Sequence, residues 1–218
     1  MSDPVLFGAD YSVYTRIARL ALQEKGVAYR LEPVDIFAPE GVPPGYLERH
    51  PFGKIPAFEH DGFRLYESGA IARYVDEAFP GPPLQPNGAR QRARLQQTVS
   101  VLDHYAYRTL VWDIFVERVR GPQHGRIPDE QRIAAALPRA EMCLRALTDL
   151  LGAQPFFAGT EVTLADLHAG PMLAYFHMAA EGATLLNRLD ALRTWWERMA
   201  ARPSLLATRY PLERGTEA

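Results

Sequence analysis

The chain has 218 residues, 47% of them hydrophobic, with 24 Lys+Arg against 26 Asp+Glu for a formal net charge of -2. That length and apolar content suit two small domains with packed cores, and the near balance of charge leaves no broad positive field for phosphate, which excludes nucleic acid as a partner class. The single cysteine, Cys143, excludes an internal disulfide framework, a Cys-x-x-Cys redox pair and a multi-cysteine metal site. With no basic-then-apolar leader and no window near the length of a membrane span, the expectation is a soluble cytoplasmic protein that does not engage a membrane.

Residues 4–8 (PVLFG) form a short apolar run. A three-and-four pattern of Tyr14, Ile17, Ala18, Leu20, Ala21 and Leu22 follows, so strand, turn and helix come first. Ser12 is placed to cap that helix; Lys25 supplies a basic last turn and Gly26 a C′ position that tolerates positive φ. Residues 27–36 lean to strand, and the helix between them and the first strand predicts a parallel βαβ unit. Residues 37–45, rich in Pro and Gly, read as irregular chain. IPAFE (55–59) and FRLY (63–66) flank His60-Asp61-Gly62 and predict a tight hairpin, after which a helix spans 69–79.

The order βαβ, loop, ββα is that of a thioredoxin-like α/β domain, residues 1–80. GPPLQPNG (81–88) cannot sustain a helix and reads as a linker. The remainder, 89–218, reads as an all-α domain with helices at 89–119, 129–151, 163–181 and 188–201, broken at Gly121-Pro122, Gly152 and Gly182. Thr163-Leu-Ala-Asp166 has the form of a capping box with Asp in place of Glu, and Pro171 inside that helix removes one backbone bond.

Residues 50–75, HPFGKIPAFEHDGFRLYESGAIARYV, carry the chemistry. Pro-x-Gly-Lys-x-Pro followed by a hairpin and Glu-Ser resembles the glutathione site of glutathione S-transferases. The resemblance implies that Lys54-Ile55 precede a cis proline, Pro56, with the Ile55 backbone pairing with the cysteinyl part of glutathione. Glu67 and Ser68 stand where a strand hands over to a helix, so free amides and the helix dipole receive the γ-glutamyl carboxylate, Ser68 donates to it and Glu67 meets the ammonium. The bland reading of a Glu-Ser pair is an ordinary helix start.

LFGADYSVYTR (6–16) resembles the serine-using phi/theta-like bacterial branch of that family, in which a serine at the start of the first helix is followed four residues on by arginine. Ser12 and Arg16 match. The implied chemistry needs a thiolate, because a free thiol with a pKa near 8.5 is a poor nucleophile at neutral pH. A hydroxyl donor at a helix N-terminus favours the anion, so Ser12 is expected to be catalytic as an electrostatic stabiliser, while its local reading is a helix cap. Tyr11 is the runner-up hydroxyl and Tyr14 a further competitor. The loop before the second helix, 37–47, has no basic residue to meet the glycine carboxylate, which leaves Lys54 as first candidate and His50 as second.

Tyr105, Tyr107, Arg108, Trp112 and Phe115 are candidates for the wall of an electrophile pocket or for the core. The six histidines lack metal-ligand spacing, Cys143 reads as a buried structural thiol, and no metal is expected. The family resemblance implies a glutathione S-transferase fold, a homodimer, and conjugation of the thiolate of glutathione, as co-substrate, to a hydrophobic electrophile. Peroxide reduction, isomerisation or dehalogenation on the same site, and a non-catalytic ligand- or partner-binding module, are the alternatives.

Overall fold

The structure, a computed structural model, describes residues 3–214. It divides into two compact units: within the described residues, 3–84 with 203–214, and 85–202. The sequence boundary placed everything after residue 88 in the helical domain. The last dozen described residues instead pack with the first unit, because their partners lie on its first helix.

The first unit is built on a four-stranded sheet of β1 (Val5–Gly8), β2 (Arg30–Pro33), β3 (Ala57–His60) and β4 (Phe63–Tyr66), in the order β2-β1-β3-β4. β1 and β2 run parallel with Leu6 opposite Leu31. β1 and β3 run antiparallel with Leu6 opposite Phe58, as do β3 and β4 with Phe58 opposite Leu65. β3 starts at Ala57, not Ile55, since Pro56 has no amide to give the ladder. The hairpin turns at Asp61 and Gly62, both at positive φ.

Helix α1 (Val13–Glu24) ends in a Schellman arrangement: Gly26 at φ 67° donates to the Gln23 carbonyl and Val27 to that of Leu22. Lys25, expected to serve the helix end, instead sends a buried Nζ to the Asp76 carboxylate and to the carbonyls of Asp76, Gly81 and Pro82. It thereby holds the start of the linker against the end of α2 (Ser68–Ala78). Gly8 packs so closely on α1 that a Cβ there would meet Thr15 Oγ1 at 2.4 Å.

In the second unit α3 (Ala89–Val101) runs into a segment, Leu102–Arg120, with the wider π-helical hydrogen bonding, and then into α4 (Gly121–Gln123). Gly121-Pro122 does not break the helix as expected. Gly121 still donates to Val116 in the π register, and the missing Pro122 amide falls where that register gives way to α. The chain turns at Gly125, φ 73°.

α5 (Glu130–Leu151) is capped by Asp129 and stops at Gly152. α6 (Leu164–Met178) is buried from Leu164 through Phe176 and packs on the π-helical segment. It ends at Met178, and α7 (Ala180–Asn187) begins two residues on. Gly182 lies inside α7 and is no breaker: a Cβ there would fall 1.9 Å from the Phe176 carbonyl oxygen, so glycine permits the close approach of the two helices. α8 (Asp190–Ala200) completes the unit, while α9 (Pro203–Ala207) and α10 (Pro211–Arg214) belong to the first. Among the described residues no helix is long and apolar enough to cross a membrane.

The N-terminus of α6 holds the most committed polar group in this unit. Asp166 accepts from the amides of Phe157 and Thr163, the Thr163 hydroxyl and Trp195 Nε1 at 2.7–2.9 Å. Burial pushes its carboxyl up to about 6 despite the four donors.

Candidate functional site

Strand direction brings the candidate residues to one end of the sheet. Ala57 pairs with Phe7 on one side and with Tyr66 on the other. The chain leaving β1 toward Ser12, the chain entering β3 through Lys54 and Ile55, and the chain leaving β4 into Glu67 and Ser68 therefore emerge at the same edge.

Ser12 is the N-cap of α1, with φ -88° and ψ 121°. Its Oγ accepts from the Thr15 amide at 3.1 Å, and its carbonyl accepts from the Arg16 amide at 3.0 Å. The cap uses a lone pair of the hydroxyl and leaves the O–H proton for another acceptor, so capping and donation to a ligand are compatible.

Tyr11, the runner-up, is otherwise engaged: its hydroxyl donates to Asp35 at 2.6 Å and accepts from the Ile36 amide at 3.3 Å. Its ring packs beside Phe37 and joins the cluster of Val34, Tyr46, Ile55 and Ala57. It holds the 35–37 turn onto the sheet.

The Ile55–Pro56 peptide is cis. Ile55 is buried, and it lies two residues before the β3 ladder begins, so its backbone is outside the strand pairing. Tyr46, which the sequence did not single out, donates its hydroxyl to the Lys54 carbonyl at 2.7 Å and thereby fixes this stretch. Burial pushes the Tyr46 phenol far above its ordinary range, which keeps it a donor at any working pH.

The Lys54 side chain is exposed, and no ion pair to it occurs among the described residues. His50, the second candidate for the glycine carboxylate, is 3% exposed and lies 4.9 Å, centroid to centroid, from the Tyr66 ring. Burial holds its imidazole below the ordinary value against the pull of the Glu67 carboxylate. Residues 50–56 therefore carry an exposed cation, Lys54, and a buried imidazole, His50. Arg49, nearby in sequence, lies over Phe7 and reaches Glu59.

Glu67 caps α2 with φ 70° and ψ 116°, a left-side conformation that a non-glycine residue adopts at a cost of about 1–3 kcal/mol. That backbone leaves the Glu67 side chain exposed while Ser68, at 6% exposure, opens the helix. The first amides of α2 point where an anion is favoured.

In the second unit Phe115 is 1% exposed, packs on Tyr175 at 4.8 Å and is core, which removes it from the pocket candidates. Tyr105 is exposed, Tyr107 and Trp112 are half-buried, and Arg108 is engaged with Asp113. Cys143 is buried and its thiol is pushed up by burial, the opposite of an activated nucleophile. Among the described residues no group of three or more His, Cys, Asp or Glu is placed to hold a metal ion.

Both units resemble known proteins. Residues 6–83 match the family model for the glutathione S-transferase N-terminal domain, and residues 130–198 that for its C-terminal domain. Glutathione S-transferase F13 of Arabidopsis thaliana is 30% identical over 92% of each chain, and the probable glutathione S-transferase GSTF1 of Oryza sativa subsp. japonica is 29% identical over 94% of each. Both are plant proteins, not bacterial ones.

Among solved structures, glutathione transferase F7 from Populus trichocarpa superposes with a TM-score of 0.83 at 30% identity, over 94% of this chain and 97% of that one. Glutathione S-transferase III in apo form does so at 0.86 and 28% identity, over 96% and 98%. Two matched domain models in the right order, whole-length relatives, and a chain that holds both a mixed four-stranded sheet and a helical unit together show that the chain belongs to the glutathione S-transferase family.

Proposed function

We propose that this chain conjugates glutathione to hydrophobic electrophiles, as a serine-using transferase of the phi/theta-like type. The observation that carries the reading is Ser12 at the N-cap of α1, its oxygen engaged by the Thr15 amide and its proton left to donate, on the sheet edge that also bears Ile55, Glu67 and Ser68. Glutathione lies along that edge. The Ile55 backbone pairs with the cysteinyl residue, Ser68 and the first amides of α2 receive the γ-glutamyl carboxylate, and Glu67 meets the ammonium. Lys54 takes the glycine carboxylate.

The glutathione thiol gives its proton to solvent, and the thiolate accepts the Ser12 hydroxyl. The sulfur lone pair then forms a bond to the electrophilic carbon while the leaving group departs with its electron pair. Lowering the thiol pKa by one unit requires about 1.4 kcal/mol of preference for the anion, within the range of one charge-assisted hydrogen bond. The cytoplasm, where reduced glutathione is held, supplies the thiol.

The working form is a homodimer in this reading. Phe52, 70% exposed, with Tyr66 at a ring distance of 6.3 Å, forms an aromatic surface on the first unit that a second copy covers. Light scattering of wild type and Phe52→Ser tests it.

Glutathione titration by calorimetry and turnover of an aryl halide, on wild type and Ser12→Ala, decide the main reading. Retained binding with turnover reduced about a hundredfold and a raised thiol pKa in the variant is the expected outcome. A wild type that fails to bind glutathione at millimolar concentration would sink it.

A further inference from the structure

Arg16 matched a sequence pattern, yet it does not face the edge that carries the candidate site. Its side chain is wholly buried. Both terminal nitrogens reach the Glu213 carboxylate, Nη2 at 3.2 Å, while Nη2 also donates to the Leu205 carbonyl at 3.0 Å and Nε to Thr208 Oγ1 at 3.4 Å. Glu213 is itself fixed, because its Oε1 accepts from the Tyr210 amide at 2.9 Å and its own amide returns to the Tyr210 carbonyl. Eight residues along the same face of α1, Glu24 accepts from the Ser204 hydroxyl. The chain from Pro203 to Arg214 therefore lies along α1 and is tied to it at both ends.

The tie reaches Ser12 through one residue. The Arg16 amide makes the first turn's bond to the Ser12 carbonyl at 3.0 Å. The residue whose side chain is gripped by the tail thus holds, with its backbone, the residue whose hydroxyl faces the ligand. First turns of helices fray, having the fewest backbone bonds. A fork-to-fork ion pair is the interaction best suited to fix one, because it sets direction as well as distance.

We infer that Arg16 and Glu213 are positioning residues for the transferase reaction: the C-terminal segment acts as a strap that fixes the first turn of α1 and so the aim of the Ser12 hydroxyl. The inference rests on the reading of Ser12 given above. Neither residue touches substrate. The binding residues Ile55, Glu67 and Ser68 sit on other elements, so the strap acts on the reacting sulfur and not on affinity.

The test is Glu213→Gln, with Glu213→Ala, Arg16→Lys and the double variant Arg16→Lys/Glu213→Gln, in the full chain. The pKa of the bound thiol is read from thiolate ultraviolet absorbance across pH, and kcat and KM for glutathione are measured with an aryl halide. The expected result is a fall of about tenfold in kcat, KM within about twofold, and a raised thiol pKa. The direction of the pKa change is diagnostic. Removing only the carboxylate's charge leaves an uncompensated guanidinium that favours the thiolate and lowers the pKa, so a rise is the mark of lost geometry. The double variant is expected to be no worse than the poorer single one, since both break the same link.

A lowered melting temperature with kcat, KM and thiol pKa unchanged would overturn the inference, as would a raised KM at constant kcat or a lowered pKa. A wild type without thiolate absorbance defeats the reading of Ser12 and this inference together. A wild type that shows it beside a silent Glu213→Gln defeats this inference alone.

Discussion

Asp166 offers a prediction whose sign separates two opposing effects. Four donors converge on its carboxylate, an arrangement that favours the anion, while complete burial disfavours it. Burial wins in the structure, and the carboxyl moves from an ordinary value near 3.8 up to about 6. A folded-state pKa above the unfolded one means that the native state binds the proton more tightly. The group's contribution to stability is then fully present below pH 4 and declines as pH rises toward 6, by about 3 kcal/mol in all.

Asp166→Asn keeps the shape and cannot titrate. Its cost in unfolding free energy, measured by urea denaturation with far-ultraviolet circular dichroism, is therefore expected to be larger at pH 4 than at pH 7 by about 2.4 kcal/mol, most of the full linkage. Subtracting the variant cancels the other carboxylates, which are common to both proteins. A difference independent of pH, or one that grows toward neutrality, would refute the reasoning and show that the four donors outweigh desolvation.

Three further outcomes follow from contacts described above. Lys54→Met is expected to raise KM for glutathione about threefold to tenfold with kcat unchanged, and to leave binding of a glycine-amide analogue unaffected; equal losses for both ligands would remove Lys54 as the carboxylate's partner. Gly8→Ala drives a Cβ to 2.4 Å from Thr15 Oγ1 and is expected to destabilise the chain by about 1–3 kcal/mol, with Thr15→Ala in the same chain restoring most of the loss in thermal melts. Lys25→Met strips a buried cation from the Asp76 carboxylate and three carbonyls, and a loss of about 3–5 kcal/mol in urea unfolding is expected; a loss under 1 kcal/mol would mean that the linker's start is held by other contacts.

Where one local rule decided an element, the sequence was readable. Ser12 and Gly26 bounded α1 to within a residue, Asp61-Gly62 located the hairpin, and Gly152 closed α5, because each outcome depends on the φ or the hydrogen bond of a single residue. The candidate edge was readable for a related reason: Ser12, Ile55, Glu67 and Ser68 all stand within a few residues of strand ends, and pairing direction alone carries them to one side of the sheet. Failures came where a distant surface decided. Gly182 resembles a breaker until the Phe176 carbonyl 1.9 Å from its absent Cβ is seen, and Tyr11 resembles a free hydroxyl until Asp35 takes it.

Arg16 shows both sides of this in one residue. Its backbone obeys a four-residue period that ties it to Ser12, and periodicity reveals that much. Its side chain answers to Glu213, 197 positions away, and charge alone offered no way to choose that carboxylate from among 26 acidic residues. A pairing of that range is visible only once the sheet has set α1 beside the returning chain. The tail accordingly read as an unassigned end of the helical domain, although in the fold it belongs to the unit that carries the candidate site.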